Sequence, residues 1–366
     1  MKVSGNQIFW MITIMETGMT ILMTLTPAIQ AAGQDAWMSI ILADSIALFI
    51  AWITTRLGLL YPEQSLIQTS QTILGKWPGK IIMLVYFLQW YTIMPVVLRQ
   101  FTDVLQTQSL PWTPKIVIIL VMVSLIIYAT YSGGIESIGR TSEVLGPITL
   151  ALVMLVLLAS VNNIRWTNLL PVYADSGLPA IGKGALPPAS YLGHAVEFAM
   201  LVALINDPRK GAKSAIWAVI VASIFTLLTI LMIILTLGPN LTSTTWYDFF
   251  EMTKRISLFG FIENLDALVM TFWVAAVFIK LAVYFFITCY GTAQWLNVRN
   301  WKTIIWFAAP LVAILSLIPR NVTESTALYL NNYWVPVVLP VNMIGIPLML
   351  LIIGTVRKKR QNRKPN

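Results

Sequence analysis

The 366-residue chain is 57% hydrophobic and only 11% charged, with a mean hydropathy of +0.77, a balance that excludes an ordinary soluble domain. The formal net charge of +9 makes no nucleic-acid footprint, because the basic residues fall in short loops between apolar runs and at the C-terminus, where they suit an anionic leaflet. One cysteine, Cys289, excludes an internal disulfide, and one histidine, His194, excludes zinc sites built from three or four Cys and His ligands. No catalytic residue, metal site or cofactor is expected, and the chain reads as a non-enzyme.

A spanning helix needs about 20 apolar residues, and ten segments meet that requirement: 7–29, 37–59, 81–106, 116–131, 144–161, 188–205, 212–237, 262–290, 303–317 and 335–356. The first run exceeds the apolar core of a signal peptide and further spans follow it, so it is read as a retained helix. Lys and Arg concentrate on one side of the alternation, at Lys2, Arg56, Lys76, Lys80, Arg140, Arg209, Lys210, Lys213, Arg299, Lys302 and the 357–366 tail. Cytoplasmic loops keep positive charge, so both termini are expected inside.

Two outer loops are long. Residues 162–186 mix Pro171, Gly177, Pro179, Gly182 and Gly184 with Trp166 and Tyr173, which predicts an ordered cap dividing the chain into five-helix halves, 7–161 and 188–356. Residues 245–258 place Trp246, Phe249, Phe250 and Thr253 on one helical face, predicting an interfacial helix that acts as an anchor or an outer gate.

Charges inside a span need a partner, a cavity or a function. In span one, Glu16 precedes Thr17 and Gly18, which weaken the helix near its middle; in span six, Gly193, His194 and Glu197 follow the pair Pro187 and Pro188. These are the first helices of the two halves, and inverted repeats place interrupted helices at equivalent positions and bind solutes at the breaks. A half-helix N-terminus near Gly18 favours a carboxylate, while Glu16 and Glu197 suit an ammonium, a pairing that matches an amino acid. The expected ligand-binding residues are Glu16, Thr17, Gly18, Tyr191, Gly193, His194 and Glu197; the competing reading is that the glycines serve helix packing and His194 is a satisfied interior residue.

Arg99 and Asp103, four residues apart, predict a local ion pair. Glu263 and Asp266 are expected solvated at the outer mouth of span eight. Lys280 lies deep in that span, with Tyr284 on its own face, and needs a counter-charge; Glu16 is the expected partner and Asp44 the second choice. Asp44 itself reads as a hydrogen-bonded interior carboxyl or a proton carrier.

The run AGQDAW at 32–37, following Pro27, and the run NLLPVYADSGLPAIGKGAL at 168–186 resemble the loops of the spore germination permeases, the B subunits of nutrient germinant receptors. Length, ten spans, long outer loops after spans five and seven, and the basic tail resemble that family along the whole chain. The resemblance implies an all-α polytopic membrane protein, a five-plus-five inverted repeat of the LeuT and amino acid–polyamine–organocation type, with helices 1 and 6 discontinuous. It also implies a receptor for an amino acid, sugar or nucleoside in the spore inner membrane, beside a larger A subunit and a lipoprotein C subunit. Two departures from the wider transporter superfamily stand out: span one has no G-x-G pair, and span five has no buried lysine. The competing functions are a proton-coupled amino acid transporter and a membrane scaffold.

Overall fold

The structure, a computed structural model, describes residues 1–173, 175–258, 262–263 and 265–361. Ser4 opens the first helix, α1 (Gly5–Met23), through a capping box with Gln7. The chain breaks at Thr24 and resumes as α2 (Leu25–Ala32). This break lies two turns beyond the expected weak point at Glu16–Gly18, and Pro27 explains its place: the residue has no N–H for the Met23 carbonyl, and its ring clashes with that oxygen in a continuous helix. Gly33, at φ +57°, turns the chain into a short 3₁₀ segment and then α3 (Ala36–Leu60).

A helix with no counterpart among the expected spans follows, α4 (Leu66–Leu74), whose start is marked by a second capping box, Ser65 with Gln68. Then come α5 (Lys76–Gln108), α6 (Lys115–Gly133) and α7 (Ile135–Ala159). Helix α7 begins well before residue 144, where apolar content alone would start it, because Glu136 and Arg140 pair one turn apart on its exposed side.

Half of the outer loop expected at 162–186 is helix. Its first part holds two 3₁₀ turns, and α8 (Gly177–Leu192) begins at Gly177 and carries Pro187 and Pro188 inside it. A 3₁₀ stretch (Gly193–Glu197), α9 (Phe198–Leu201) and another 3₁₀ turn complete that span. Asp207, accepting from the Arg209 and Lys210 amides, caps α10 (Pro208–Leu237).

Beyond α11 (Pro239–Thr242), the amphipathic pattern near 250 becomes α12 (Asp248–Thr253), only six residues long, with Phe249 and Phe250 buried in protein and Trp246 exposed. Its aromatic face therefore packs into the protein. A two-stranded antiparallel pair, β1 (Ser257–Leu258) and β2 (Ile262–Glu263), occupies the expected start of span eight, which instead begins at α13 (Asp266–Leu296). Asp266 opens that helix half-buried, while the Glu263 side chain and the tail residues 362–366, Arg363 and Lys364 among them, lie outside the described residues.

Helix α14 (Lys302–Leu315) is followed by wide π-helical turns over Thr323–Leu328 and Leu330–Gly345, then α15 (Ile346–Gln361). Pro336 and Pro340 each remove an N–H from this stretch, which favours the wider winding. Helix begins twelve residues before the expected 335 because Asn331, Asn332 and Tyr333 interrupt the apolar run without interrupting the helix.

Among the described residues, seven stretches are long and apolar enough to cross a membrane, counting α2 with α3 as one, and α14 is a shorter apolar helix. Span one, with Glu16 and its break, and span six, with its 3₁₀ interruption, fall outside that set. Helix α1 packs on α10 as α8 packs on α3, and α10 also packs on α3. The segments around Val3 and Lys358 lie at one end of the bundle: Val3 hydrogen-bonds the backbone of Leu204 and Asn206, Lys358 Nζ donates to the Leu60 carbonyl at 2.8 Å, and Gly58 packs on Val202.

A Cβ at Gly18 would collide with the Ala276 methyl of α13, so this glycine sets how closely α1 approaches α13. Gly18→Leu should lower the thermal unfolding midpoint in detergent, by the equivalent of about 1–3 kcal/mol of overpacking. Gly182→Ala in α8, where no atom lies within 4 Å of the new methyl, should leave it unchanged or raise it.

Candidate functional site

The interruption of span six is where the buried polar side chains meet. Pro187 and Pro188 remove two backbone donors from α8, and Gly193 then lets the winding tighten into the 3₁₀ stretch. Lipid cannot satisfy backbone groups released in this way, so the protein must. Trp334, from the π-helical turns, donates its Nε1–H to the Ser190 carbonyl at 3.1 Å.

Within the 3₁₀ stretch both ring nitrogens of His194 are engaged. Nε2 lies 2.7 Å from Lys280 Nζ, and Nδ1 meets the Tyr284 hydroxyl. With Lys280 donating as an ammonium, His194 is neutral, carries its proton on Nδ1 and donates it to Tyr284. The ammonium also sits 4.9 Å from the centre of the Tyr191 ring, a cation–π contact in a fully buried setting. Tyr191, His194 and Trp334 pack edge to face or tilted, and Tyr329 stacks on Trp334.

Glu197, one turn on, is anchored from α5. Trp90 Nε1–H donates to it at 3.0 Å and Gln89 Nε2–H at 3.4 Å; Gln89 in turn accepts from Asn342 at 2.8 Å, and Tyr86 donates to the Asn342 carbonyl at 2.7 Å. This chain ties α5, the break in span six and the π-helical turns together.

Glu16 is the opposite case. It is fully buried, and neither carboxylate oxygen has a hydrogen-bond partner, although Ala195 of the 3₁₀ stretch, Lys280 and Asp44 are all near enough to influence it. No Glu16–Lys280 ion pair forms; Lys280 takes His194 instead. Asp44 is turned toward the Ser223 hydroxyl of α10, in keeping with a hydrogen-bonded interior carboxyl, and is not the partner of Lys280.

Of the expected ligand-binding residues, Tyr191, His194 and Glu197 come together with Lys280. Thr17 lies beside Glu16 on α1. Gly18 and Gly193 serve close packing, Gly18 against Ala276 and Gly193 with its Cβ position 2.6 Å from Met343 Sδ and 3.0 Å from Ile50 Cδ1. Arg99 and Asp103 pair as expected, Nε donating to both carboxylate oxygens at 3.0 Å, and Lys115 joins them at 2.8 Å. Trp90, Gln89, Asn342 and Trp334 carry no sequence signal, since isolated indoles and amides are common in apolar spans. Pro336 and Pro340 were the one available hint that the last span is irregular.

Above the break, a cavity of about 260 Å³ opens between α2 (Thr26, Gln30), the loop around Thr244–Trp246 and the π-helical turns (Thr326, Asn331). At its edge Asp248 accepts from Thr26 at 2.7 Å and from Thr245, clamping the outer half of span one to the loop. Farther out, Asp35 accepts from the Tyr173 amide with both oxygens at 3.0 Å and from Ser176 Oγ at 2.6 Å, and Gln34 donates to the Pro171 carbonyl and to Asp175.

Two interrupted helices packed at the core of a polytopic bundle define the fold of ion-coupled symporters, and solved structures agree. A Na+-coupled sialic acid symporter in a substrate-bound outward-open state superposes with a TM-score of 0.68 at 11% identity, over 97% of this chain and 89% of that one. Mhp1, a nucleobase-cation-symport-1 family transporter, gives 0.67 at 14% identity over 96% and 77%. MhsT in complex with L-phenylalanine gives 0.65 at 11% over 97% and 98%. Residues 2–325 match the spore germination protein family of permeases, and the chain belongs to it. Curated relatives include spore germination protein KB of Bacillus subtilis (strain 168), 28% identical over 99% of this chain and 97% of its own length. Spore germination protein YndE of the same strain is 23% identical over 90% of both, and spore germination protein XB of Bacillus anthracis 24% over 91% of both.

The His194–Lys280 contact sets a double-mutant test. Lys280→Met and His194→Leu should each destabilise the protein, and the pair together should recover part of the loss, giving a coupling of about 1.5–3 kcal/mol. Additive effects in thermal unfolding would show that the contact carries no net stability. Outside the spans, burial pushes the Asp248 carboxyl up to about 6, against the opposing pull of the Thr245 and Thr26 hydroxyls. A folded value above the unfolded one, about 3.9, means that its stabilising contribution is complete below about pH 4 and is lost as pH rises through about 6. Asp248→Asn should flatten that part of the stability–pH curve; an unchanged slope would assign it to another group.

Proposed function

We propose that this chain is the nutrient-sensing B subunit of a germinant receptor, binding a small solute at the break in span six and passing the bound state on as a trigger for spore germination. An amino acid is the foremost class, with sugars and nucleosides next. The observation that carries the reading is Lys280: a fully buried ammonium on the aromatic face of Tyr191, with one N–H given to His194 and donor capacity left over. A solute carboxylate fits that charge, and Tyr191 and Trp334 supply aromatic walls. Glu197, already holding Trp90 and Gln89, keeps the break in shape and is not the solute's main contact. The 260 Å³ cavity above, roofed by the Thr244–Trp246 loop, is the entry route, and the Asp248 clamp makes that loop its lid.

Membership of the family and the spore germination relatives support the receptor role. On this reading the protein spans the spore inner membrane ten times, with both termini on the cytoplasmic side and its two five-helix halves related by inverted symmetry. It works beside an A subunit and a lipoprotein C subunit. The paired packing of α1 on α10 and α8 on α3 supports the symmetry. A second reading, a proton-coupled amino acid transporter, draws on the fold shared with symporters.

Purified protein screened against amino acids, sugars and nucleosides should show a raised unfolding temperature with one class. Occupancy at a hundred times the dissociation constant corresponds to about 2.7 kcal/mol. Tyr191→Leu should abolish that shift while the protein still inserts. A scaffold would show no shift with any solute, and solute uptake into proteoliposomes driven by a pH gradient would favour transport over sensing.

A further inference from the structure

At the end of the bundle that holds Val3 and Lys358, several long basic side chains settle on protein. Lys80 Nζ donates to the Trp295 carbonyl at 2.8 Å and lies 5.2 Å from the centre of that residue's ring, and Lys302 Nζ lies 4.7 Å from the centre of the Tyr131 ring. Lys358 holds the Leu60 carbonyl and faces Tyr61. Lys210 and Lys213, in the first turns of α10, differ. They line an open cavity of about 540 Å³ together with Ser4, Asn6, Ser214 and Trp217. A Cβ at Gly5 would lie 3.0 Å from Ser214 Oγ, so the starts of α1 and α10 close the floor of this cavity. The helix end itself offers nothing further to a ligand, because Asp207 already takes the Arg209 and Lys210 amides at 3.1 Å. Its other oxygen is 3.8 Å from Lys210 Nζ, with the two side chains 48% and 81% exposed, a pairing that water screens. Lys213 has no carboxylate partner among the described residues. Exposed Arg209, and Lys2 beside the Val3 that bonds to Leu204 and Asn206, add positive charge close by.

Toward the middle of the membrane the same face of α10 turns apolar. Lys213, Trp217, Ile220, Ile224, Leu228 and Leu231 recur at intervals of four, three, four, four and three residues, which is one stripe of a helix. None of the six is buried, and Trp217 and Ile224 are 60% and 51% exposed. A cationic cavity that opens past an indole onto an apolar track follows the polarity of a phospholipid, from charged headgroup through the ester region to the acyl chain. A soluble anion would use the cavity alone, and an acidic protein segment would have no use for a track leading into lipid. We propose that this cavity binds the headgroup of an anionic phospholipid, its phosphate between Lys210 and Lys213 beside the Ser214 hydroxyl, with an acyl chain along Ile220, Ile224 and Leu228. The bound lipid bridges α10 to the start of α1. Because Val3 is bonded to Leu204 and Asn206, it also fixes the end of span six against both helices.

The test uses the full-length protein, stripped of lipid in a neutral detergent, with thermal unfolding followed as lipid is added back. Dioleoylphosphatidylglycerol should raise the unfolding temperature saturably, and dioleoylphosphatidylcholine, which carries no net charge, should not. Lys210→Gln combined with Lys213→Gln should raise the half-saturating phosphatidylglycerol concentration on the order of twentyfold, the loss of two basic contacts to an anionic surface. Lys359→Gln combined with Arg360→Gln in the tail should leave it unchanged. Inorganic phosphate and glycerol 3-phosphate, which have the charge without the chain, should give no saturable rise. An equal rise with both lipids would overturn the proposal, as would a phosphatidylglycerol rise that the α10 pair of substitutions leaves intact. Equal losses from the α10 and tail pairs would reduce the effect to diffuse surface charge and overturn it, and a saturable rise with inorganic phosphate would assign the cavity to a soluble anion instead.

Discussion

A helix can be interrupted inside a bilayer only where protein replaces the hydrogen bonds that the interruption releases, and the rest of this structure is arranged around that requirement at Gly193–Glu197. Trp334 reaches over to the Ser190 carbonyl, Trp90 and Gln89 hold Glu197, and Lys280 with Tyr284 holds both sides of His194. These partners come from α5, α13 and the π-helical turns, so the three elements are positioned by what the sixth span lacks. The wide winding of the last span follows the same logic, for it presents Trp334 and Asn342 to the core.

The polarity of the core is divided. Where His194, Glu197 and Lys280 meet, the titratable groups have partners, and the surrounding indole and phenol rings shield them from lipid. On α1, the buried Glu16 carboxylate and the hydroxyls of Thr13, Thr17 and Thr20 are held far more loosely.

Much of this was readable from the sequence, because apolar length and isolated charges are strong signals in lipid. Most spans lie within a few residues of the apolar runs, and the residues flagged in span six do converge. The failures have physical causes. Gly18 and Thr17 suggest a weak point in α1, but a glycine in a membrane helix also permits close approach, and Ala276 uses it that way. The true break was marked by Pro27, whose effect falls four residues earlier on the Met23 carbonyl. Charge and depth point Lys280 to Glu16, whereas the neutral His194 imidazole is nearer and takes one of its N–H groups. Trp90, Gln89, Asn342 and Trp334 were invisible because a side chain's role as a long-range partner leaves no local pattern.

Two loop runs, around Gln34–Asp35 and around Pro171–Ser176, are separated by over a hundred residues yet are bonded into one unit. Both Asp35 oxygens are consumed by the Tyr173 amide and the Ser176 hydroxyl, while Gln34 grips the Pro171 carbonyl. Neither run is a self-contained module. Replacing the loop before span six without its matching segment after span one strands the buried Asp35 carboxylate, so in this chain the two loops form one unit of exchange.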